Sequence, residues 1–276
     1  MKLSPRRIAS FQHKIFSWWT THKRDLPWRH TRDPYEIMVS EVMLQQTQVL
    51  RVIAKYTEFI EVFPMVFDLA KASPAQVLRI WKGMGYNRRA LYLQKTAKTI
   101  IDIYHGKFPV SERELVKLPG LGKYTARAIL VFAYKQEVPL VDTNIRQIIT
   151  HFFFKDQPQK ESVVEEVARQ LVPSGKSWEW HQALMDYGAL RLARARSGSL
   201  TKASRRTPVS FRDSNRFYRG RIIDRLREGD ISEKKFLNEL GKTYTKPVAF
   251  LHSVIESLIK DGLMQRTSRG ILRLPV

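Results

Sequence analysis

Three short stretches carry residue types that can do chemistry together. In SEVMLQQTQVLRV, Glu41 is followed by Val42, Met43 and Leu44. Apolar neighbours disfavour the charged form, so a carboxyl there is pushed toward the pKa of a working general acid. The plain alternative is a solvated glutamate early in a helix, where the dipole welcomes negative charge. Gln45, Gln46 and Thr47 come next, polar and uncharged, an odd choice for a purely structural turn. In VPLVDTNIRQI, Asp142 opens a helix after an apolar run. It reads as an N-cap, and a capping carboxylate beside a cleft also supplies fixed negative charge to a developing cation. In LPGLGKYTARA, Pro119 shapes a turn in which Gly120 and Gly122 allow positive φ and close approach of a ligand to bare N–H groups. Together with the N-terminus of the next helix, those groups suit a phosphate. An ordinary turn between two helices would use the same glycines. No strand precedes the turn and the spacing to Lys123 is wrong, so it is neither a Rossmann nor a Walker loop.

The elements that must position these residues are helical. From Ser4 to about Gly188 the apolar residues recur at helical spacing, with Pro and Gly at the joints and no sustained alternation that would mark a sheet. Between Arg191 and Arg219 the texture becomes rich in Arg, Lys and Ser and reads as a basic linker. Beyond it, NRFYRGRIIDRLREG, ISEKKFLNELG and KPVAFLHSVIESLIKDG spell helices, with Gly262 stopping the last and RTSRG turning a hairpin. That is a winged-helix spelling, of a size that can fold alone. The expected domains are 1–195, a linker 196–213, and a winged-helix-like module 214–276.

The chain has 276 residues, 43% of them hydrophobic, which is ordinary globular material. Its 48 Lys and Arg against 26 Asp and Glu leave a formal charge of +22. Such an excess repels itself unless a polyanion is the usual partner, and nucleic acid is the first candidate ahead of a membrane surface or a ribosome. There is no cysteine, which excludes disulfides and thiolate-held zinc or iron–sulfur clusters. No uncharged run approaches the ~20 residues of a membrane span and no signal-peptide core is present, so a cytoplasmic, nucleoid-associated protein is expected.

A helix-hairpin-helix spelled LPGLG, followed by an aspartate in VDTN, resembles the helix-hairpin-helix DNA glycosylase superfamily that includes endonuclease III. The blocks RDLPWR, DPYEIMVSEVMLQQTQV, WKGMGYNRRA, LPGLGKYTARAI, VDTN and HQALMDYGAL resemble its adenine DNA glycosylase branch, and the likeness runs from Ser4 to about Leu190. It implies an all-α, two-lobed glycosylase fold carrying the winged-helix-like domain. It also implies a monofunctional N-glycosylase that removes adenine opposite 8-oxoguanine or guanine. By this resemblance Glu41 is the general acid that protonates the N7 edge of the extruded adenine and helps place the water. Asp142 stabilises the oxocarbenium-like sugar, with Asn144 beside it. Tyr124 stands where bifunctional members carry a lysine, so no Schiff base and no strand cleavage are expected. Arg24, Leu26, Trp28, Arg29 and Gln182 match the base pocket. Gln46, Thr47, Met84 and Tyr86 match residues that wedge into the duplex, and Gly120, Gly122 and Lys123 match the phosphate clamp, where a monovalent cation can also sit. The implied partner is double-stranded DNA with A:8-oxoguanine or A:G mispairs, bound by a monomer.

Two departures stand out. The positions of the family's cluster cysteines are held by Leu192, Ser199, Lys202 and Pro208, so no iron–sulfur cluster forms. Arg194, Arg196, Lys202, Arg205 and Arg206 are then expected to replace the DNA contact of the cluster loop by plain charge. The C-terminus does not resemble the Nudix-like domain of typical adenine glycosylases, and Arg216, Arg219, Arg221, Arg266 and Arg269 are expected to add DNA affinity there. Two other readings stay open. One is a thymine or uracil mismatch glycosylase of the same fold, which shares tyrosine at the position of Tyr124. The other is a non-catalytic DNA-binding protein on this scaffold.

Overall fold

The computed structural model describes residues 1–192, 211, 214–244 and 246–276. Its helices run in order α1 Pro5–His22, α2 Pro34–Leu44, α3 Val49–Val62, α4 Val66–Lys71, α5 Pro74–Ile80, α6 Arg88–Tyr104, α7 Glu112–Leu115, α8 Lys123–Phe132, α9 Thr143–Phe154, α10 Glu161–Leu171 and α11 Ser177–Tyr187. A π-helical turn, Gly188–Leu192, extends α11. After it come α12 Asn215–Glu228, β1 Ile231–Ser232, α13 Glu233–Thr243, α14 Val248–Lys260, β2 Gln265–Arg266 and β3 Ile271–Arg273. The chain folds as two compact units, Met1–Glu41 with Phe108–Ala203, and Val42–Lys107 with Ser204–Val276. Both are discontinuous in sequence, because α2 passes from one to the other at its last turn. Among the described residues no helix is long and apolar enough to cross a membrane.

Local chemistry starts the helices where the sequence says it should. Ser4 caps α1 ahead of Pro5 by accepting from the Arg7 N–H, and Ser73 with Gln76 closes a capping box on α5. In the first unit Phe11, Ile15 and Trp19 recur at one-turn spacing on α1. They pack with Ile145, Ile148 and Ile149 of α9, Val164 and Val167 of α10, and Trp180 and Leu184 of α11 in one cluster. Each such side chain fully removed from water contributes about 1.5–3 kcal/mol before entropy is charged against it. Two helices are apolar nearly all round and therefore buried rather than half-exposed. They are α2, buried at every position from Ile37 to Met43, and α8, buried from Thr125 to Phe132.

In the second unit Leu69 of α4, Val77 and Leu78 of α5, and Leu93, Ala97 and Ile100 of α6 form the buried face. The C-terminal stretch of this unit has the helix–strand–helix–helix–hairpin order of a winged helix, its antiparallel sheet ordered β1-β3-β2. The turn falls at Thr267–Gly270, closed by Gly270 N–H donating to Thr267 O (2.9 Å), with Gly270 at φ +69. The short β1 is not legible in the spelling ISEKK. Ser232 both pairs opposite Ile271 and caps α13, a double use of one residue that the strand period cannot reveal. Arg194, Arg196, Lys202, Arg205 and Arg206, with Ser199 and Pro208, lie outside the described residues.

Candidate active site

Glu41 does not sit early in its helix, as the sequence suggests. It lies in the last turn of α2, whose C-terminal dipole disfavours a carboxylate instead of welcoming it. It is 6% exposed. Tyr124, on the first turn of α8, donates its hydroxyl to the Glu41 carboxyl. Asp142 caps α9, with Oδ1 accepting from Ile145 N–H (2.6 Å) and Oδ2 from Asn144 Nδ2 (3.1 Å). Glu41, Tyr124 and Asp142 lie close enough for each carboxylate to act on the tyrosine and for Asp142 to act on Glu41.

The electrostatics follow from that grouping. Burial raises Glu41 from 4.5 to about 7; the Tyr124 hydroxyl pulls it down and the Asp142 charge pushes it up, both by less than burial does. Burial raises Asp142 too, opposed by the N–H groups of α9 and by Asn144. Burial and the two carboxylates hold Tyr124 well above its ordinary value, so it stays a neutral donor. Near neutral pH Glu41, raised to about 7, can both hold and release a proton, beside a second carboxyl whose N-cap hydrogen bonds favour its charged form, the pairing that acid-assisted bond breaking beside a cation needs. No His/Cys/Asp/Glu cluster suited to a metal occurs here among the described residues.

Two supports place the Asp142 end and were not legible in the sequence. His181 of α11 donates Nδ1–H to Ser177 O (2.7 Å) and accepts from the Leu140 N–H at Nε2 (3.1 Å), pinning the segment that leads into Asp142. Burial lowers its pKa to about 4, so it serves this role as a neutral ring. Gly188 lies against Asn144 so closely that an added Cβ would come within 2.6 Å of the Asn144 Cβ. The glycine of DYGAL is a close-approach residue.

The residues matched to a base pocket, Leu26, Trp28, Arg29 and Gln182, are all buried, and Arg24 is partly so. The organiser that sequence reasoning missed is Asp186. It is fully buried and accepts from Arg29 NH1 and NH2 (2.9 and 2.8 Å), Arg24 Nε (2.5 Å) and Trp19 Nε1 (2.9 Å). Arg29 Nε has no hydrogen-bond partner although it is buried. A cavity of about 730 Å³ elsewhere in this unit is walled by Lys14, Trp18, His22, His151, Phe152 and Tyr187 and includes none of these residues.

In the hairpin only Gly120 takes positive φ (+77); Gly122, at φ −90, is instead the N-cap of α8 and brings no capping side chain. A Cβ on Gly122 would meet nothing within 4 Å, so its surroundings are open. Lys123 turns away from Tyr124 and pairs with Glu165 (2.7 Å), which also holds Arg127.

The wedge candidates gather in the second unit. Gln46 (φ +55) and Tyr86 (φ +46) both hold a left-handed backbone that costs non-glycine residues energy. Arg89 ties their segments together, donating to the carbonyls of Val42 (2.8 Å), Met43 (3.0 Å), Met84 (3.2 Å) and Gly85 (3.3 Å) and to Thr47 Oγ1 (3.1 Å). Met84 is buried and Tyr86 is 40% exposed. Arg89 was not singled out from sequence, because only the fold shows how many carbonyls converge on it.

Residues 39–174 match the family described as HhH-GPD superfamily base excision DNA repair protein. The chain is similar to a protein of Mycolicibacterium smegmatis named adenine DNA glycosylase, 34% identical over 275 residues and covering 93% of both chains. It is also similar to a thymine/uracil-DNA glycosylase of Methanothermobacter thermautotrophicus, 33% identical over 184 residues, covering 65% of this chain and 83% of that one. Among solved structures it resembles that of a thermostable thymine-DNA glycosylase, with TM-score 0.64 and 32% identity, covering 67% of this chain and 87% of that one.

Proposed function

The chain belongs to the HhH-GPD superfamily of base excision DNA repair proteins, and from that premise we propose that it is a monofunctional adenine DNA glycosylase acting on A opposite 8-oxoguanine or G. The observation that carries the reading is Glu41, buried, raised to about 7 and hydrogen-bonded by Tyr124, with Asp142 close enough for its charge to act on both. In this reading Glu41 gives its proton to the N7 edge of an extruded adenine. The C1′–N9 bond breaks with its electron pair leaving on the base, and the Asp142 carboxylate meets the cationic sugar. Water then adds at C1′ and its proton returns to Glu41, which restores the acid. Tyr124 offers no amine, so no Schiff base forms and the abasic strand stays intact.

The remaining roles belong to the same reading. Arg24, Leu26, Trp28, Arg29 and Gln182 line the base pocket, and the unpartnered Nε–H of Arg29 suits a ligand with ring-nitrogen acceptors. Asn144 steadies Asp142. Gln46, Thr47, Met84 and Tyr86 fill the space the base leaves, returning part of the unstacking cost of a few kcal/mol. Gly120, Gly122 and Lys123 serve the phosphate clamp, Lys123 after it is lent by Glu165. A monovalent cation there would find main-chain carbonyls, of which that of Leu118 already accepts from Leu121 N–H (3.2 Å); it would steady the turn and take no part in bond breaking. The chain has no cysteine and holds no thiolate-bound iron–sulfur cluster. The glycosylase domain spans 1–195, the linker 196–213 and the winged-helix module 214–276, in a monomer working on chromosomal DNA in the cytoplasm.

Likeness to an adenine glycosylase over 93% of both chains favours adenine, because the likeness to the thymine/uracil enzyme covers only 65% of this chain. The test is a panel of duplexes carrying A opposite 8-oxoguanine, A opposite G, T opposite G and U opposite G, treated with alkali after incubation. Adenine release that disappears in Glu41→Gln is expected. Release of T or U alone assigns the mismatch pyrimidine activity, and binding without release leaves a non-catalytic scaffold.

A further inference from the structure

The loop Gly83–Asn87 is held on one side by its own flanks, Trp81 Nε1 donating to Gly85 O (3.1 Å) and Arg89 to Met84 O and Gly85 O. Gly83, Gly85 and Tyr86 all stand at positive φ (+87, +66 and +46), and Tyr86 is an exposed aromatic on a strained backbone. Within the same compact unit the winged-helix module adds a second set of contacts, on Tyr86 and Asn87. Arg216 of α12 stacks on the Tyr86 ring, 3.9 Å from its centroid, and donates NH1 to the Tyr86 hydroxyl (2.8 Å). Arg89 stands 5.5 Å from the same ring, so two guanidiniums flank one tyrosine. Arg227 donates Nε to Leu78 O (2.8 Å) and NH2 to Asn87 Oδ1 (3.1 Å), and Asp261 pairs with Arg88 (3.6 Å) as well as with Arg219 (2.5 Å). Arg221 is taken by Asp224 (2.7 Å) and Arg266 by Glu233 (2.7 Å). Four of the five arginines that the sequence offers as phosphate contacts thus have partners within this unit, with Arg216 and Arg221 still exposed.

We propose that the winged-helix module is a brace for the Tyr86 loop and that Arg216 is a positioning residue, holding the Tyr86 ring in the pose from which it enters the duplex. The inference rests on the reading of Tyr86 as that entering residue. A planar cation on a ring face orients it in a way that a free phosphate-seeking side chain would not. The guanidinium also carries positive charge to the place where the strand is opened.

The test uses the full chain with Arg216→Ala, Arg216→Lys, Tyr86→Ala and the double variant Arg216→Ala/Tyr86→Ala. Single-turnover adenine release is followed on an A:G duplex and on a duplex whose target adenine is already unstacked in a bulge. Arg216→Ala is expected to slow release from the A:G duplex about tenfold, and release from the bulge much less. The double variant should be no slower than Tyr86→Ala, Arg216→Lys should stay impaired, and the pH profile should not move. Equal slowing on both substrates, additive losses, restoration by lysine or faster release by Arg216→Ala would each overturn the proposal. Amide exchange over Gly83–Asn87 in the free protein reads the brace without catalysis. Faster exchange in Arg216→Ala supports it, and unchanged exchange overturns it even if the wild type releases no base.

Discussion

Two carboxyls in the first unit are both buried and are shifted in opposite directions. Asp186 is fully buried and Glu41 is 6% exposed. Burial acts to raise both. At Asp186 it is outweighed by the Arg29 guanidinium, then by Arg24 and Trp19, which hold the group below the usual carboxylate range. At Glu41 the opposing partner is a single neutral hydroxyl, and Asp142 adds to the rise. The difference teaches that burial sets the size of the penalty while the partner decides whether the group answers it by pairing or by keeping its proton. A carboxylate held by guanidiniums keeps its charge, while one met only by a neutral hydroxyl holds its proton to higher pH.

The comparison breaks first at Glu41. On the proposed mechanism Glu41→Gln removes the proton donor and should lower base release by about 10²–10⁴-fold in single-turnover assays. The same change should stabilise the fold. A group raised from 4.5 to about 7 supplies stability that is complete below pH 4.5 and is lost as pH rises through 7. Glutamine mimics the protonated form, so thermal or denaturant unfolding at pH 8 should show a gain of up to about 3 kcal/mol that vanishes toward pH 4.5.

Asp186→Asn probes the other member. It leaves two arginines, one of them buried, short of their counter-charge, and should cost about 3–5 kcal/mol in denaturant unfolding at pH 7. Because its folded pKa is depressed, the contribution of Asp186 is present above pH 3.8 and lost as pH falls below it, so variant and wild type should converge in acid. Equal stability at pH 7 would show that Asp186 is not the anchor its contacts describe.

Smaller effects test the supports. Gly188→Ala forces Asn144 away and should cost about 1–3 kcal/mol, with base release reduced alongside, since Asn144 holds Asp142. The pH profile gives the finest reading. Base release should fall above about pH 7 as Glu41 loses its proton, and fall again in acid below the raised pKa of Asp142. Tyr124→Phe removes the hydroxyl that favours the charged Glu41, so the alkaline limb should move to higher pH with less than about a tenfold change in maximum rate. A limb that moves to lower pH would contradict the hydrogen bond as assigned.

Much of the molecule was written in the chain. Helical spacing, Pro and Gly at the joints, Asp142 as an N-cap and the RTSRG hairpin are local features, fixed by backbone preference and by residues a few positions apart. The apolar company of Glu41 in its own helix left a raised pKa as one of two readings, and burial in the fold decided for it. Pairing across the chain is another matter. Arg24 meets Asp186 across 162 positions and Tyr86 meets Arg216 across 130. Lys123 is claimed by Glu165, and Gly188 makes room for Asn144. Periodicity reports which face of a helix turns inward and says nothing about which charge waits on the neighbouring helix. Those choices are made when helices pack, because only then do desolvation and the nearest counter-charge compete at each buried group.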